Sequence, residues 1–130
     1  MTALATDPPR DLDLLLERYV AQWHEPDPTA RRRRIEELWA PDGANFTQSF
    51  EARGHDALEA RVRVAYEKWV RDAGYIFRPR QADCHHGAVR FVWDMASPGD
   101  GKVISLGADF LLLAADGRIH EDYQFIEPAA

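Results

Sequence analysis

The fold is decided by the stretch GADFLLLAADGRIHEDYQFIE, residues 107–127. Two runs rich in apolar residues stand on either side of Asp116-Gly117, a turn signal that is typical of a β-hairpin. The runs predict neighbouring antiparallel strands. Connections of similar length and composition separate the other strand-like runs of the second half of the chain. The sequence thus predicts four long strands and one brief strand, over residues 75–84, 89–96, 102–114, 118–127 and 44–50.

The first half of the chain predicts three helices, because its apolar residues recur at spacings of three and four. The first helix is expected to begin at Asp7-Pro8 and to stop before Pro26. The second begins at Asp27-Pro28, and the third runs from Gly54 to Gly74. Helices followed by an antiparallel meander indicate the α+β class, with the helices packed on one face of the sheet.

The length of 130 residues predicts one domain, expected over residues 8–127 with loose termini at 1–7 and 128–130. Apolar residues make up 45% of the chain and charged residues 29%, as is ordinary for a globular protein. The formal net charge of −6 argues against nucleic acid as a partner.

No apolar run approaches the length of about 20 residues that a membrane span needs, and residues 1–10 lack the apolar core of a signal peptide. The single cysteine, Cys84, excludes an internal disulfide and a cysteine-rich zinc site. We therefore expect a cytoplasmic protein without membrane contact. His85 and His86 are adjacent, so on a strand they point to opposite faces and cannot readily chelate one metal ion. No metal site is predicted.

Two aspartates are the candidates for chemistry. Asp109 lies in the middle of an apolar strand, where loss of hydration is expected to raise the pKa of its carboxyl group. In the last strand, Asp122 and Gln124 face the interior if Ile119 faces outward. Asp109 and Asp122 would then form a carboxyl pair suited to general acid–base chemistry. A bulge in the last strand would turn the side chain of Asp122 to the opposite face of the sheet. A purely structural role for Asp109 also stays open.

Several segments resemble the nuclear transport factor 2-like superfamily, and within it the SnoaL-like branch that includes polyketide cyclases and relatives of ketosteroid isomerase. The resemblance covers about residues 8–127. It depends on the closing hairpin at 107–119, on LWAPDGA at 38–44, on GHDAL at 54–58 and on HHGAVRFVW at 85–93. It implies a strongly curved, cystatin-like sheet that encloses a conical pocket with the helices, and a homodimer formed through the convex sheet face.

The resemblance also implies roles for individual residues. Asp109 matches the protonated acid of ketosteroid isomerases, and Tyr19 matches their helix-one tyrosine. Thr47 stands where that family has its proton-abstracting aspartate, so isomerisation by that mechanism is not expected. The Asp109–Asp122 pair resembles the paired aspartates of limonene epoxide hydrolase. In this chain Asn45 and Thr47 stand where that enzyme has its tyrosine and asparagine, and Gly107 stands where it has its arginine.

Two hypotheses of function remain open at this stage. The first is an enzyme without cofactor that acts on an apolar, polycyclic or terpenoid-like molecule, with Asp109, Tyr19 and Asp122 as catalytic residues. The second is a noncatalytic module for small-molecule binding or dimerisation, in which Tyr19 is a core residue. The predicted substrate-binding residues are Trp39, Asn45, Thr47, Trp69, Trp93 and Gln124.

Overall fold

The computed structural model describes residues 2–128, which form two helices, two strands, a third helix and four further strands in chain order. The helices are α1 (Leu12–His24), α2 (Pro28–Leu38) and α3 (His55–Ala65), and a π-helical turn at Tyr66–Asp72 continues α3. The strands are β1 (Trp39–Phe46), β2 (Glu51–Arg53), β3 (Ile76–His85), β4 (Ala88–Ala96), β5 (Val103–Leu113) and β6 (Ile119–Pro128). The α+β class is confirmed.

The helix starts follow their capping residues. Asp27 accepts a hydrogen bond from the Ala30 amide at 2.9 Å, and Pro28 occupies the first turn, so α2 begins where the sequence predicts. The expected start of α1 at Asp7-Pro8 is wrong by about one turn. Asp11 is the cap instead and accepts from the Leu14 amide at 3.0 Å. α3 begins after Gly54, whose φ of 86° suits glycine.

The six strands form one curled sheet that does not close, in the order β2-β1-β6-β5-β4-β3. The hairpin pairings β3–β4, β4–β5 and β5–β6 are antiparallel, as predicted. The sheet is nevertheless mixed, because β1 runs parallel to β6. Parallel neighbours need a long connection, and here the connection is the whole chain between β1 and β6, which includes α3 and four strands.

The N-terminal segment is attached to the sheet, although the sequence predicts a loose terminus at 1–7. Leu4 forms an antiparallel bridge with Ala114, and the Ala5 amide donates to the Leu113 carbonyl at 2.9 Å. The sequence predicts a loose C-terminus from residue 128 onward, but Pro128 still belongs to β6. Met1 and residues 129–130 lie outside the described residues.

The helices pack against the concave face of the sheet, where most of the core lies. The register shifts at a bulge in β6, because Ile119 and Glu121 pair with the adjacent residues Leu113 and Leu112 of β5. Ile119 is therefore fully buried, and the expectation that it faces outward is wrong. The bulge places Ile119 and Asp122 on the same buried face, which a regular strand would not allow. Within residues 2–128, none of the helices combines the length and the apolar character required to cross a membrane.

Candidate active site

A cavity of about 360 Å³ lies between the helices and the concave face of the sheet. This volume falls within the range of about 300–1,000 Å³ that is typical of small-molecule sites. Its wall is mainly aromatic and apolar, with contributions from Trp23, Trp69, Phe77, Phe91, Trp93 and Met95. Polar groups are few, and they come from Tyr19, Arg61, Ser105, Gln124 and Glu127. Such a wall suits a molecule that is largely apolar and carries a few polar atoms.

Tyr19 connects this wall to two buried carboxyl groups. Its hydroxyl lies 2.8 Å from Oδ2 of Asp109 and 2.6 Å from Oδ2 of Asp122. Asp109 is 1% exposed and Asp122 is fully buried. The two aspartates do not line the cavity themselves but lie directly behind the wall residues that contact them. We call Tyr19, Asp109 and Asp122 the carboxyl cluster.

The geometry of the carboxyl cluster requires an additional proton. A tyrosine hydroxyl has one hydrogen and can donate it to only one carboxylate at a time. With both aspartates ionised, the second oxygen–oxygen contact would be repulsive, and two charges would be buried with no ion pair to a described residue. A proton shared by the two carboxyl groups removes both costs.

The surroundings place this proton on Asp122. Burial and the neighbouring charge of Asp109 raise the pKa of Asp122 well above its ordinary value. Burial also raises the pKa of Asp109, but hydrogen bonds and the positive charge of Arg61 oppose that shift. The indole N–H of Trp93 donates to Oδ1 of Asp109 at 2.7 Å. Of the two carboxyl groups, Asp122 therefore holds the shared proton more strongly. The pKa of Tyr19 is itself raised well above its ordinary value by burial and by both aspartates, which keeps the hydroxyl protonated.

Two side-chain amides, those of Asn45 and Gln124, lie next to the carboxyl cluster. The parallel pairing of β1 with β6 sets Asn45 beside Asp122. Nδ2 of Asn45 donates to Oδ2 of Asp122 at 3.0 Å and lies 3.5 Å from Oε1 of Gln124. Gln124 also pairs with Asp109 in the β5–β6 register and lines the cavity. These contacts hold the side chain of Asp122 in place.

Gly107 provides the space that Trp93 occupies. The two residues are partners in the β4–β5 register, and the Trp93 indole lies directly over Gly107. A Cβ atom at position 107 would overlap the indole ring. The position that would hold an arginine in the resemblance to limonene epoxide hydrolase therefore has no room for any side chain.

Two predicted substrate-binding residues lie away from the cavity. Trp39 is fully buried at the start of β1, where its indole donates to Oε1 of Gln22 at 2.9 Å. Thr47 lies beyond the end of β1, and its hydroxyl lies 3.4 Å from that of Ser49. Neither residue lines the cavity, although the Trp39 ring centroid lies 6.3 Å from that of Tyr19.

The other predicted residues converge on the site. Trp69, Trp93 and Gln124 line the cavity, and Tyr19 reaches it from α1. Asn45 is buried behind the wall, in contact with Asp122. Their catalytic and binding roles stay predictions.

Sequence reasoning missed Arg61. This residue lies on α3 one turn from Leu58 and Ala65, which are buried, so helical spacing already places it on the inward face. Its guanidinium lies 5.2 Å from the Trp23 ring centroid and 4.6 Å from that of Phe50. An arginine within an apolar helix stripe is the signal that could have revealed it.

The histidine pair occupies the β3–β4 hairpin end, as expected. His85 ends β3 opposite Ala88, and His86 adopts a positive φ of 52° in the turn. Residues 2–128 contain no group of three or more His, Cys, Asp or Glu side chains arranged to hold a metal ion.

No family model matches the chain, and no curated protein matches it. Solved structures do match. A protein from Agrobacterium tumefaciens assigned as an isomerase of the SnoaL-like family is 28% identical, with a TM-score of 0.79 over 88% of this chain and 95% of that one. A protein from Sinorhizobium meliloti assigned as a polyketide cyclase is 18% identical, with a TM-score of 0.65 over 90% and 96% of the two chains. One from Methylobium petroleophilum with a cystatin-like fold and unknown function is 17% identical, with a TM-score of 0.67 over 91% and 77%.

These similarities confirm the predicted resemblance to SnoaL-like proteins of the nuclear transport factor 2-like superfamily. They also confirm the cystatin-like architecture. The shared fold includes isomerases and cyclases, and a fold of this kind does not by itself specify a reaction.

Proposed function

We propose that this protein is an enzyme that acts without a cofactor on an apolar polycyclic or terpenoid-like molecule bound in the cavity. Isomerisation, cyclisation and hydrolysis by general acid–base chemistry are the reactions that the carboxyl cluster suits. The observation that supports this proposal is the pair of buried aspartates that the Tyr19 hydroxyl joins directly behind an apolar cavity wall.

The two carboxyl groups provide both halves of acid–base chemistry at neutral pH. Asp122 stores a proton because its ionised form is disfavoured by burial and by Asp109. Asp109 can accept a proton because Trp93, Tyr19 and Arg61 stabilise its charge. Because neither aspartate lines the cavity, a proton would reach or leave the substrate through the Tyr19 hydroxyl, which contacts both carboxyl groups.

Tyr19 links the aspartates to the cavity. The hydroxyl can pass its proton to a substrate oxygen while it takes the proton of Asp122, so no charged tyrosine needs to form. Trp69, Trp93 and Gln124 would hold the substrate, since they belong to the same wall. Water is largely excluded from such an apolar site, which strengthens each of these hydrogen bonds.

A thermal-shift screen of hydrophobic ketones, epoxides and polyketides tests the proposal, followed by mass spectrometry of each binder after incubation. We expect at least one binder to be converted to a product. Asp109→Asn should lower the turnover number by about 100-fold or more, because an amide cannot accept the proton. Asp83→Asn, which changes an exposed aspartate of β3, should leave turnover unchanged. The proposal fails if no compound is converted, or if Asp109→Asn is fully active.

One observation favours a second function, a noncatalytic module for small-molecule binding. Both aspartates lie behind the wall and are held by protein donors, as a purely structural cluster would be. A binder that is never converted, and whose affinity is the same in wild type and Asp109→Asn, would support this second function.

We also propose that two copies associate through the convex face of the sheet. Apolar side chains on this face are exposed, with Phe125 at 59% and Phe110 at 41%. Exposed apolar patches of this kind are typical of protein interfaces. Light scattering should give the mass of a dimer for the wild type and of a monomer for Phe125→Asp, and a wild-type monomer at high concentration would contradict the proposal.

A further inference from the structure

Arg61 is a partly buried cation whose hydrogen-bonding capacity is largely unused. Its side chain belongs to the cavity wall and makes one long hydrogen bond, from Nη2 to Oε1 of Gln124 at 3.3 Å. The Nε atom is buried and has no acceptor among the described residues. The guanidinium also forms no ion pair with a carboxylate of residues 2–128.

Arg31 shows how the same chain satisfies a guanidinium that belongs to its structure. Arg31 is 2% exposed, and its Nε and Nη2 donate to the Glu25 carbonyl at 3.0 and 2.8 Å. Nη2 also reaches the Pro26 carbonyl at 3.3 Å. Arg61 has no such set of carbonyl acceptors, so its donors are left for a group that enters the cavity.

The position of Arg61 is fixed without an anion. Its guanidinium contacts the Trp23 and Phe50 rings, and stacking of this kind stabilises a planar cation. Burial lowers the pKa of Arg61 from its ordinary value, as expected for a charge that is only partly compensated. The side chain is therefore oriented in advance, which reduces the entropy lost on binding.

We infer that the ligand of the cavity is an apolar molecule with a carboxylate group, and that Arg61 binds this carboxylate. The inference depends on the proposed ligand-binding role of the cavity but not on catalysis. A guanidinium presents N–H groups in a planar fork that matches a carboxylate. Oε1 of Gln124 already accepts from Arg61 and lies near Nδ2 of Asn45, so the Gln124 amide NH₂ is a second donor on the same wall.

The charges around the site favour a single negative charge on the ligand. The carboxyl cluster holds one shared proton and thus one negative charge close to Arg61. Glu127 lies on the same cavity wall and is exposed. A ligand with two negative charges, such as a phosphate monoester, would meet repulsion from both. A monocarboxylate needs only the unused donors of Arg61.

Two probes of the same shape test the inference, 2-naphthoate and 2-naphthamide. Both fit an apolar cavity, but only the naphthoate is charged at pH 7. Titration of the tryptophan fluorescence gives the dissociation constant of each. We expect the wild type to bind naphthoate about tenfold more tightly than naphthamide, as is ordinary for a charge-assisted hydrogen bond.

Variants of Arg61 then test whether this residue causes the preference for naphthoate over naphthamide. Arg61→Met should bind both probes alike, with naphthamide affinity within about twofold of wild type, because only the charged contact is lost. Arg61→Lys should retain part of the preference, since the charge stays but the fork is lost. Arg63→Met, on the exposed side of α3, should retain all of it.

The outcomes separate this inference from the proposed function. Equal binding of the two probes by the wild type overturns the carboxylate assignment and leaves the apolar cavity intact. A preference that survives in Arg61→Met overturns the role of Arg61. If neither probe binds the wild type, both this inference and the proposed binding role of the cavity are wrong. The comparison within the wild type holds even if a variant fails to fold.

Discussion

The two faces of the sheet bury aspartates in opposite ways. On the convex face, Asp94 is 1% exposed, and Arg78 and Arg80 surround its carboxylate with N–O distances of 2.7–3.1 Å. On the concave face, Asp109 and Asp122 are equally buried but have no ion pair among the described residues. Equal burial thus produces a paired carboxylate on one face and a shared proton on the other, because only on the convex face do guanidinium groups contact the carboxylate directly.

The difference teaches where chemistry can occur. A carboxylate between two guanidinium groups is fixed by its contacts and is suited to a structural role. A carboxyl pair with one proton can both give and take a proton, and it lies next to a cavity. Burial alone would not have distinguished the two sets of aspartates.

The largest effect is expected from a variant that disrupts the carboxyl cluster without changing any charge. Gly107→Ala places a methyl group where the Trp93 indole lies, so the indole must move and its bond to Asp109 is lost. We expect a loss of about 3 kcal/mol in the free energy of unfolding, measured by urea denaturation. Gly99→Ala is the control, because a Cβ atom there meets nothing within 4 Å. Similar stability of the two variants would contradict the packing described here.

Removal of the bridging hydroxyl tests the carboxyl cluster directly. Tyr19→Phe leaves both aspartates without their common donor, and we expect it to lower the free energy of unfolding by about 2 kcal/mol. The matched variant Tyr123→Phe removes an exposed hydroxyl that contacts Glu121, and it should cost less than about 0.5 kcal/mol. If Tyr19→Phe were as stable as Tyr123→Phe, the hydroxyl would not hold the cluster together.

The shared proton predicts a pH dependence that the variant Asp122→Asn should lack. The pKa of Asp122 lies above its ordinary value of 3.8 in the folded protein, so above this pH the folded state binds more protons than the unfolded state. The free energy of unfolding should therefore fall as the pH rises from about 4 toward the folded-state pKa, by up to about 1.4 kcal/mol per pH unit.

The measurement is the difference in stability between wild type and Asp122→Asn at each pH. This subtraction removes the contributions of exposed carboxyl groups such as Asp72 and Asp116, whose pKa values are lowered by arginine and backbone partners and which act in the opposite direction. Wild type should lose stability relative to the variant as the pH rises. Parallel curves would show that Asp122 is not the protonated group.

The smallest effect is expected on the convex face. Asp94→Asn leaves Arg78 and Arg80 without their carboxylate, but these arginines are 42% and 59% exposed, so water can solvate them. We expect a loss of about 1 kcal/mol in urea denaturation, reduced by added salt. An effect as large as that of Gly107→Ala would mean that the ion pairs of Asp94 with Arg78 and Arg80 contribute more to stability than the exposure of these arginines implies.

Much of the fold follows from local patterns of the sequence. The hairpin around Asp116-Gly117 and the start of α2 at Asp27-Pro28 depend on residues that are neighbours in the chain, and both predictions are confirmed. The inward direction of Asp109 follows from strand alternation in the same way. The start of α1 was misplaced because Asp11 competes with Asp7 as a cap, and both precede a helical pattern.

The composition of the site depended on contacts between distant segments. Asn45 reaches Asp122 only because β1 runs parallel to β6, which no local pattern indicates. Trp39 is among the predicted substrate-binding residues, but it lies at the start of β1, where its indole donates to Gln22 instead.

By itself, the sequence determined the order of the elements, the hairpin pairings and the face on which Asp109 lies. These are properties of backbone period and turn chemistry, which act over a few residues. The tertiary structure alone decided that Tyr19 joins Asp109 to Asp122, that Trp93 covers Gly107 and that Arg61 lines the cavity. Protonation and packing depend on distances between segments far apart in the chain, and on the exclusion of water that those segments achieve only together.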